Sequence, residues 1–368
     1  MRKHWISFCL ACFCCAVQAQ DIEKKLFEAG FENVQVKQEK DTTKVYFEHR
    51  EFRSPFHSMR YANLLLQEEQ KELIFVPLHH SRPIGNYTAD TFEFSALSKE
   101  DRRFFRDEIS GYRFHFRIHP DLSARFGYYS SPFQVKFNVV LDSRIYLAPG
   151  LSVQTGISIP VENSLDAQDM KPRLAPSMLH YFIQPVNSHF VALSVGTFYY
   201  DTYGIDFQYR YAPLDGQWSF GLEAGYTGFY WLNADGFYSE DLEDLHLVTD
   251  VEFRPNFQNL SFKLSGGQFM FGDRGIRADM IKQFGTVDVG LHGGWSDLGT
   301  TAGFQIAFPL FPGKIYRNRH LEIRTTEEFR WEYNYNNEEP VTRSYRIGMP
   351  RISDVLRQYN SNLMKNLD

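Results

Sequence analysis

The chain has 368 residues, of which 43% are hydrophobic, 23% charged and 16% aromatic, and its net charge is −6. It lacks the clustered basic excess of a nucleic-acid-binding protein. All four cysteines, Cys9, Cys12, Cys14 and Cys15, lie near the N-terminus, so the remainder of the chain excludes a disulfide framework, a thiolate metal site and a cysteine nucleophile.

The N-terminus predicts export. Residues 2–4 are basic, residues 5–17 are apolar but too few to span a bilayer, and Ala19 completes a small-residue cleavage motif. We therefore expect residues 1–19 to be a cleavable signal peptide. Lipidation of Cys12 is the alternative, which the residue types before it disfavour. No later segment reaches the run of about 20 apolar residues that a membrane-spanning helix needs.

Residues 20–78 are predicted to form a small α/β domain, which we expect in the periplasm. Apolar residues spaced as on one face of a helix, with Gly30 at the end, predict the first helix, and Ser54 with Pro55 is a typical helix start. The predicted elements are a helix over 22–31, strands over 34–38 and 44–49, a helix over 55–69 and a strand over 72–77. Residues 79–108 are polar and mixed, and they are interpreted as a connector.

From Gly111 onward the hydrophobic period changes to two, which indicates strands. Such segments recur between short turns rich in Gly and Pro. They cover 111–119, 133–141, 151–159, 178–184, 190–199, 203–211, 218–230, 245–253, 260–269, 276–284, 287–295, 303–310, 321–325 and 329–335. Residues 109–340 are therefore predicted to form an antiparallel up-and-down β-barrel of roughly 12 strands, and residues 341–368 a polar helical tail.

A soluble β-sandwich also alternates, so the period alone does not decide the fold. Three features favour the barrel: uniform apolar faces, aromatic clusters near strand ends such as residues 198–200, and charges deep within the opposite faces. In a barrel the aromatic residues lie at the lipid interfaces and the charges face a wet lumen. The expected class is mainly β, an outer-membrane barrel preceded by a small α/β domain.

Residues 144–166, RIYLAPGLSVQTGISIPVENSLD, resemble the YjbH-type exopolysaccharide proteins. Residues 190–230, 267–310 and 319–335 agree with this resemblance in their order, and the LFEAGFENVQV stretch is similar to the family's small α/β module. The resemblance implies an outer-membrane protein associated with the synthesis or export of extracellular polysaccharide. The implied partners are outer-membrane lipid, exopolysaccharide and, through the α/β domain, periplasmic polysaccharide-export proteins. It transfers no catalytic residue, and the chain looks like one α/β module plus one barrel.

Ten charged residues are predicted to line the lumen and contact glycan. They are Arg113, His115, Arg117, Asp206, Arg210, Glu223, Asp250, Glu252, Arg277 and Asp279. The first three form a basic stripe on one face of a strand, suited to acidic sugars. The alternative for this stripe is pairing with acidic neighbours across the barrel wall.

No catalytic residue, cofactor or metal is predicted. His79 and His80 lack a third ligand at suitable spacing, and the turn at 272–275 lacks the lysine and helix of a phosphate-binding loop. A non-enzymatic role in exopolysaccharide production or export is therefore preferred. Three alternatives stay open: a barrel enzyme that uses a carboxylate pair on surface glycans, a soluble periplasmic β-sandwich that binds carbohydrate, and a structural outer-membrane protein or adhesin that carries no glycan.

Overall fold

The computed structural model describes residues 19–67, 72–105, 111–127, 132–233, 236–311, 314–335, 342 and 346–367. All but the last residue of the predicted signal peptide lies outside these ranges. The described chain is mainly β, with five helices and one large sheet that is mostly antiparallel. Within the same ranges, no helix has the length and hydropathy needed to cross a bilayer.

The N-terminal part, residues 19–105, forms a compact unit that we call the α/β unit. Its elements in chain order are α1 (19–28), β1 (Glu32–Gln38), β2 (Thr42–Glu48), α2 (Pro55–Leu65), β3 (Glu72–His79), β4 (Arg82–Pro83), β5 (Asn86–Thr88), β6 (Phe94–Ser95) and α3 (Lys99–Phe104). The strand order is β1-β2-β3-β5-β6, with β4 against β3. Strands β2 and β3 run parallel, because helix α2 returns the chain to the start of the sheet.

The core of the α/β unit is aromatic and fully buried. The rings of Phe47 and Phe75 pack edge to face at 5.8 Å, beneath Phe56 and Met59 of α2. This arrangement explains the helix over 55–65, since its apolar residues recur on the face that meets the sheet. Met364, from the far end of the chain, completes the same core.

Helix α3 begins with a capping box, and its Asp101 also contacts the sheet. The hydroxyl of Ser98 accepts from the backbone N–H of Asp101, whose carboxylate accepts in return from the N–H of Ser98. Lys44 of β2 also donates to Asp101 at 2.9 Å. Burial opposes ionisation, but Lys44 and the cap together lower the pKa of Asp101 below its usual value.

The helices and strands predicted for residues 20–78 occur within a few residues of their expected bounds. The segment interpreted as a connector, residues 79–108, differs, because it contains β4, β5, β6 and α3. Strands β5 and β6 extend the sheet of the α/β unit. At two or three residues each they are too short to show an alternating pattern, and their partners are distant in sequence.

The remaining strands belong to the large sheet. They are β7 (Phe114–Phe126), β8 (Phe133–Ala148), β9 (Leu151–Asn163), β10 (Arg173–Leu174), β11 (Ser177–Val186), β12 (His189–Thr197), β13 (Thr202–Tyr211), β14 (Trp218–Asn233), β15 (Gly236–Ser239), β16 (Asp244–Phe253), β17 (Leu260–Gln268), β18 (Arg274–Phe284), β19 (Val287–Ser296), β20 (Gly299–Phe308), β21 (Lys314–Arg317), β22 (Leu321–Thr325) and β23 (Phe329–Tyr335). Every segment predicted as a strand contains one.

Most of these strands form one antiparallel series. Its order is β7-β8-β9-β11-β12-β13-β14-β16-β17-β18-β19-β20-β23. At the ends of the series, β22 pairs in parallel with β7, from Leu321 opposite Phe114 to Thr325 opposite Ile118. The ring of Phe126 in β7 lies 5.1 Å from that of Tyr333 in β23. The first and last strands therefore lie side by side.

The turn between β8 and β9 needs its glycine. Gly150 has φ +84°, and a Cβ there would lie 2.2 Å from the carbonyl oxygen of Phe182. The close approach serves two contacts, because Gly150 donates to the carbonyl of His80 at 2.7 Å and accepts from the N–H of Phe182 at 2.8 Å. This turn thus ties the large sheet to the α/β unit.

Burial on the large sheet is inverted relative to a soluble protein. On β13 the polar residues Asp206, Gln208 and Arg210 are buried, whereas Ile205, next to Asp206, is 43% exposed. The same alternation recurs on the other long strands. We call the face with buried polar side chains the inner face, and the face with exposed apolar side chains the outer face.

The segment predicted as a polar helical tail contains α4 (Ile352–Gln358) and α5 (Ser361–Lys365), and most of it is buried. We call residues 346–367 the C-terminal segment. It lies along the inner face and reaches the α/β unit. The N–H of Ile352 donates to Gln208, and the hydroxyl of Tyr87 donates to the carbonyl of Tyr359 at 2.6 Å.

We expect Phe75→Ala to destabilise the α/β unit by about 3–5 kcal/mol, because it removes a fully buried ring and leaves a cavity. Leu64→Ala on the exposed side of α2 is the matched control and should cost less than about 0.5 kcal/mol. The measurement is the urea midpoint for proteolysis of this unit in the full chain. Equal midpoints for the two variants would contradict the assigned core.

Candidate functional site

All ten residues predicted to contact glycan lie on the inner face. Eight are buried, while Glu223 and Asp250 are partly exposed. The structure distributes them among four groups of charges rather than in one stripe. Each group includes residues that the sequence analysis did not single out.

Arg113 and His115 join the large sheet to the α/β unit. Nε2 of His115 lies 2.8 Å from Oε1 of Glu32 in β1, and the backbone N–H of Arg113 donates to the same oxygen at 3.2 Å. Arg50 contacts Oε2 of Glu32 at 2.7 Å and Glu48 at 3.0 Å. These two members of the basic stripe therefore face an acidic side chain of another part of the molecule.

Arg117, the third member, is paired within the sheet. Its Nε and Nη2 donate to the two carboxylate oxygens of Asp142 at 2.8 and 2.6 Å, the bidentate geometry that is strongest for arginine and carboxylate. Gln154 accepts from Arg117 and from Arg144 at 3.0 Å, and donates to the carbonyl of Gly348 at 3.0 Å. Arg117 is thus paired with an acidic residue of the neighbouring strand, as the alternative for the stripe predicted, whereas Arg113 and His115 contact Glu32 of the α/β unit.

Arg210, Asp250 and Glu252 form the second group with the C-terminal segment. Nη2 of Arg210 donates to Asp250 at 2.7 Å. Glu252 accepts from Nε of Arg357 in α4 at 2.9 Å, and Arg357 also donates to Asp354 at 2.9 Å. Arg357 and Glu252 are both fully buried, and Glu252 also lies 3.1 Å from Nε of Arg254 and 3.5 Å from Nη1 of Arg210.

Arg277 and Asp279 form the third group, two residues apart on β18. Nη2 of Arg277 donates to Oδ1 of Asp279 at 2.8 Å, and Nη1 donates to Glu332 of β23 at 2.8 Å. Gln305 of β20 donates to the same oxygen of Asp279 at 3.2 Å. This group spans β18 to β23 across the inner face.

Asp206 and Glu223 belong to the fourth group, with His246. One potential ligand atom of each lies within 4.8 Å of the others, and Nε2 of His246 is 3.6 Å from Oδ1 of Asp206 and 4.0 Å from Oε1 of Glu223. Gly225 stands opposite both Asp206 and His246 in the ladder. A Cβ there would lie 2.0 Å from Cε1 of His246, so the glycine gives the imidazole its room.

The junction between the α/β unit and the sheet holds buried ions and neutral histidines. Nη2 of Arg53 donates to Asp288 and its Nε to Glu328, both at 2.5 Å. Next to it lies a cavity of about 100 Å³, lined in part by His79 and His80. Burial and then the charge of Arg144 lower the pKa of His79 to about 3, and burial places the pKa of His80 well below its ordinary value.

The C-terminal segment fills the space over the inner face. Arg346 contacts Asp121 of β7 at 3.0 Å, Gly348 contacts β9, and Arg357 contacts β16. Sequence reasoning missed Arg357, Glu32 and His246. Only His246 carried a signal, since it shares the phase of Asp250 and Glu252 on its strand.

Comparison of the chain with protein-family models and with curated proteins finds no match. The resemblance to the YjbH-type proteins therefore stays a prediction.

We expect Arg357→Ala to destabilise the docking of the C-terminal segment by about 3–5 kcal/mol, because it removes a fully buried cation that donates to both Glu252 and Asp354. The measurement is the urea midpoint for proteolytic release of this segment. Lys365→Ala is the control: its pair with Glu93, at 3.8 Å, is exposed and should be worth at most about 1 kcal/mol. A similar midpoint for both variants would refute the role of Arg357.

The α/β unit should lose stability in mild acid. His79 and His80 are neutral when folded and bind protons more readily when unfolded, so their contribution is present above pH 6.5 and is lost as the pH falls toward 3. The expected loss is about 1.4 kcal/mol per pH unit for each histidine. Urea midpoints at pH 7.5 and 5.0 measure it; His79→Gln should reduce the difference, and His320→Gln, at an exposed position, should not.

Proposed function

We propose that this chain is an outer-membrane β-barrel protein that takes part, without catalysis, in the production or export of an extracellular polysaccharide. The inverted burial of the large sheet carries the membrane part of this proposal. In water, an outer face with exposed Phe116, Leu193, Ile205, Phe220 and Leu264 would promote aggregation. In a bilayer, the same face is the apolar band that lipid requires.

Closure of the sheet is part of the proposal. Its support is the parallel pairing of β22 with β7 and the contact of Phe126 with Tyr333. A membrane sheet must close, because lipid offers no hydrogen bonds to an open edge. A series of thirteen strands, β7 to β23 without the short β10, β15, β21 and β22, agrees with the roughly 12 expected from the sequence.

The orientation follows from the α/β unit. This unit packs at the end of the sheet where β8 turns into β9 and β13 into β14, and we place that end in the periplasm. Aromatic pairs lie toward both ends of the strands, Trp218 with Phe253 on one side and Trp231 with Tyr238 on the other. Such pairs suit the two membrane interfaces.

The polysaccharide role rests on the sequence resemblance. The contacts made on the inner face bear on whether that role is conduction or anchoring. The ten predicted glycan-contacting residues face protein partners, and the C-terminal segment contacts the inner face at Gln208, Glu223 and Glu252. We therefore propose that the protein anchors and organises export components rather than conducting polymer through an open lumen. In the described part of the α/β unit, β1 pairs only with β2, so it offers a strand edge to a periplasmic export protein.

Two of the alternatives have less support. A glycosidase needs a carboxylate pair that sugar can reach, whereas Asp206 and Glu252 are buried beneath the C-terminal segment. A soluble sandwich places apolar side chains between its sheets, whereas here they cover the outer face. A sandwich also gives no reason for the buried charges of the inner face.

We expect the protein in the outer-membrane fraction, with an electrophoretic band that shifts on boiling because a closed barrel resists detergent at room temperature. Conductance in planar bilayers should be low and should rise several-fold when residues 346–368 are deleted, because the interior is then open to water. Deletion of the whole gene should reduce surface polysaccharide.

Each outcome tests a separate step. A soluble periplasmic protein without a band shift would refute the barrel. Normal surface polysaccharide in the deletion strain would refute the polysaccharide role and leave the barrel intact. For the conductance test, the truncated protein must keep its heat-shifted band, which serves as the folding control.

A further inference from the structure

The group formed by Asp206, Glu223 and His246 has the form of a binding site. Each carboxylate uses one oxygen for a protein contact: Oδ2 of Asp206 accepts from Gln208 at 2.9 Å, and Oε2 of Glu223 lies 3.7 Å from Nε of Arg351. The other oxygens, Oδ1 and Oε1, are the ones nearest Nε2 of His246. In each carboxylate, one oxygen thus contacts a neighbouring side chain and the other oxygen faces the imidazole.

One of those oxygens lacks a partner. Oδ1 of Asp206 is buried in a side chain that is 1% exposed, and it has no hydrogen-bond partner among the described residues. A buried carboxylate oxygen in this condition is costly. Its nearest cationic candidate, Nε2 of His246, is 3.6 Å away, beyond the 2.7–2.9 Å usual for a charge-assisted hydrogen bond.

We propose that Asp206, Glu223 and His246 bind one divalent transition-metal ion, with Zn²⁺ as the representative ion. Two carboxylate oxygens and an imidazole nitrogen are a ligand set that such ions accept, whereas Ca²⁺ and Mg²⁺ prefer oxygen alone. Around Zn²⁺, tetrahedral ligand atoms lie roughly 3.4 Å apart. The separations of 3.6 and 4.0 Å therefore need only small side-chain movements.

The surroundings supply the orientation that metal ligands require. Gln208 and Arg351 hold the outer oxygens of the two carboxylates, as the partners of metal ligands commonly do. Gly225 has no side chain and therefore leaves room for the imidazole of His246. Three protein ligands also leave one position of a tetrahedral ion for water.

The competing account is an ion pair in which a protonated His246 lies between the two carboxylates. The positive charges of Arg351 and Lys263 attract the Glu223 carboxylate. They partly offset its negative charge, and this favours the ion pair over a bound metal. Ion pairs elsewhere on the inner face are closer, as for Arg117 and Asp142 at 2.6 Å. The wider spacing around His246 favours a central ion.

The test uses the purified full-length protein in detergent, stripped with a chelator and then titrated with Co²⁺ and Zn²⁺. We expect one ion per chain, a visible Co²⁺ absorption band and a raised melting temperature on Zn²⁺ addition. His246→Gln and Asp206→Asn should weaken binding at least 100-fold. His292→Gln is the matched control, because His292 is also buried on the inner face but is bonded to Asn334 at 2.8 Å.

Absence of stoichiometric binding to the wild-type protein would overturn the proposal in favour of the ion pair. Equal binding by the wild-type protein and His246→Gln would overturn it as well. The heat-shifted band shows which variants are folded, and Glu223→Gln, at a partly exposed position, replaces any variant that is not. These results are independent of the polysaccharide phenotype.

Discussion

A charge that leaves water on folding must find a partner, and this constraint connects the three parts of the molecule. An unpaired buried ion costs several kcal/mol. Some charged residues of the inner face have partners in the α/β unit or in the C-terminal segment. Glu32 of the α/β unit lies 3.8 Å from Nη1 of Arg113, and Arg357 of the C-terminal segment donates to Glu252 at 2.9 Å. Sheet, α/β unit and C-terminal segment therefore stabilise one another through pairs of buried charges.

The same constraint gives the junction its specificity. Arg53 reaches from the α/β unit to Asp288, Glu328 and the carbonyl of Thr286. Apolar contact alone would allow the unit to rotate on the sheet with little change in energy. Directional pairs of this kind fix one orientation, because any rotation separates ions that water can no longer solvate.

The sequence predicted the strands well because each is read locally. A period of two with exposed apolar residues needs no knowledge of the partner strand, so even β22 and β23 were recognised. The pairs were harder. Arg357 and Glu252 are 105 positions apart in sequence, and nothing within α4 indicates that an arginine in a polar helix is fully buried.

The group of Asp206, Glu223 and His246 likewise depends on contacts between residues that are distant in sequence. Asp206 and Glu223 were recognised as inner-face charges from their phase alone. His246 joins them because β14 lies between β13 and β16 with Gly225 opposite both residues. That coincidence depends on register, which alternation does not determine. The strands within residues 79–108, interpreted as a connector, were not predicted for a related reason. Strands β5 and β6 are too short to show a pattern of their own and are defined by their pairing with neighbouring strands.

The parallel contact between β22 and β7 has a topological consequence. In a series of thirteen alternating strands, the last strand ends on the side opposite to the one where the first begins. The chain leaves β23 far from the α/β unit, yet Met364 lies in that unit's core. Between them, the C-terminal segment contacts the inner face at Asp121, Gln154 and Glu252. With an even number of strands, the last strand would end on the same side of the sheet as the α/β unit. With the odd number, the C-terminal segment that reaches the α/β unit lies against the inner face and occupies space there.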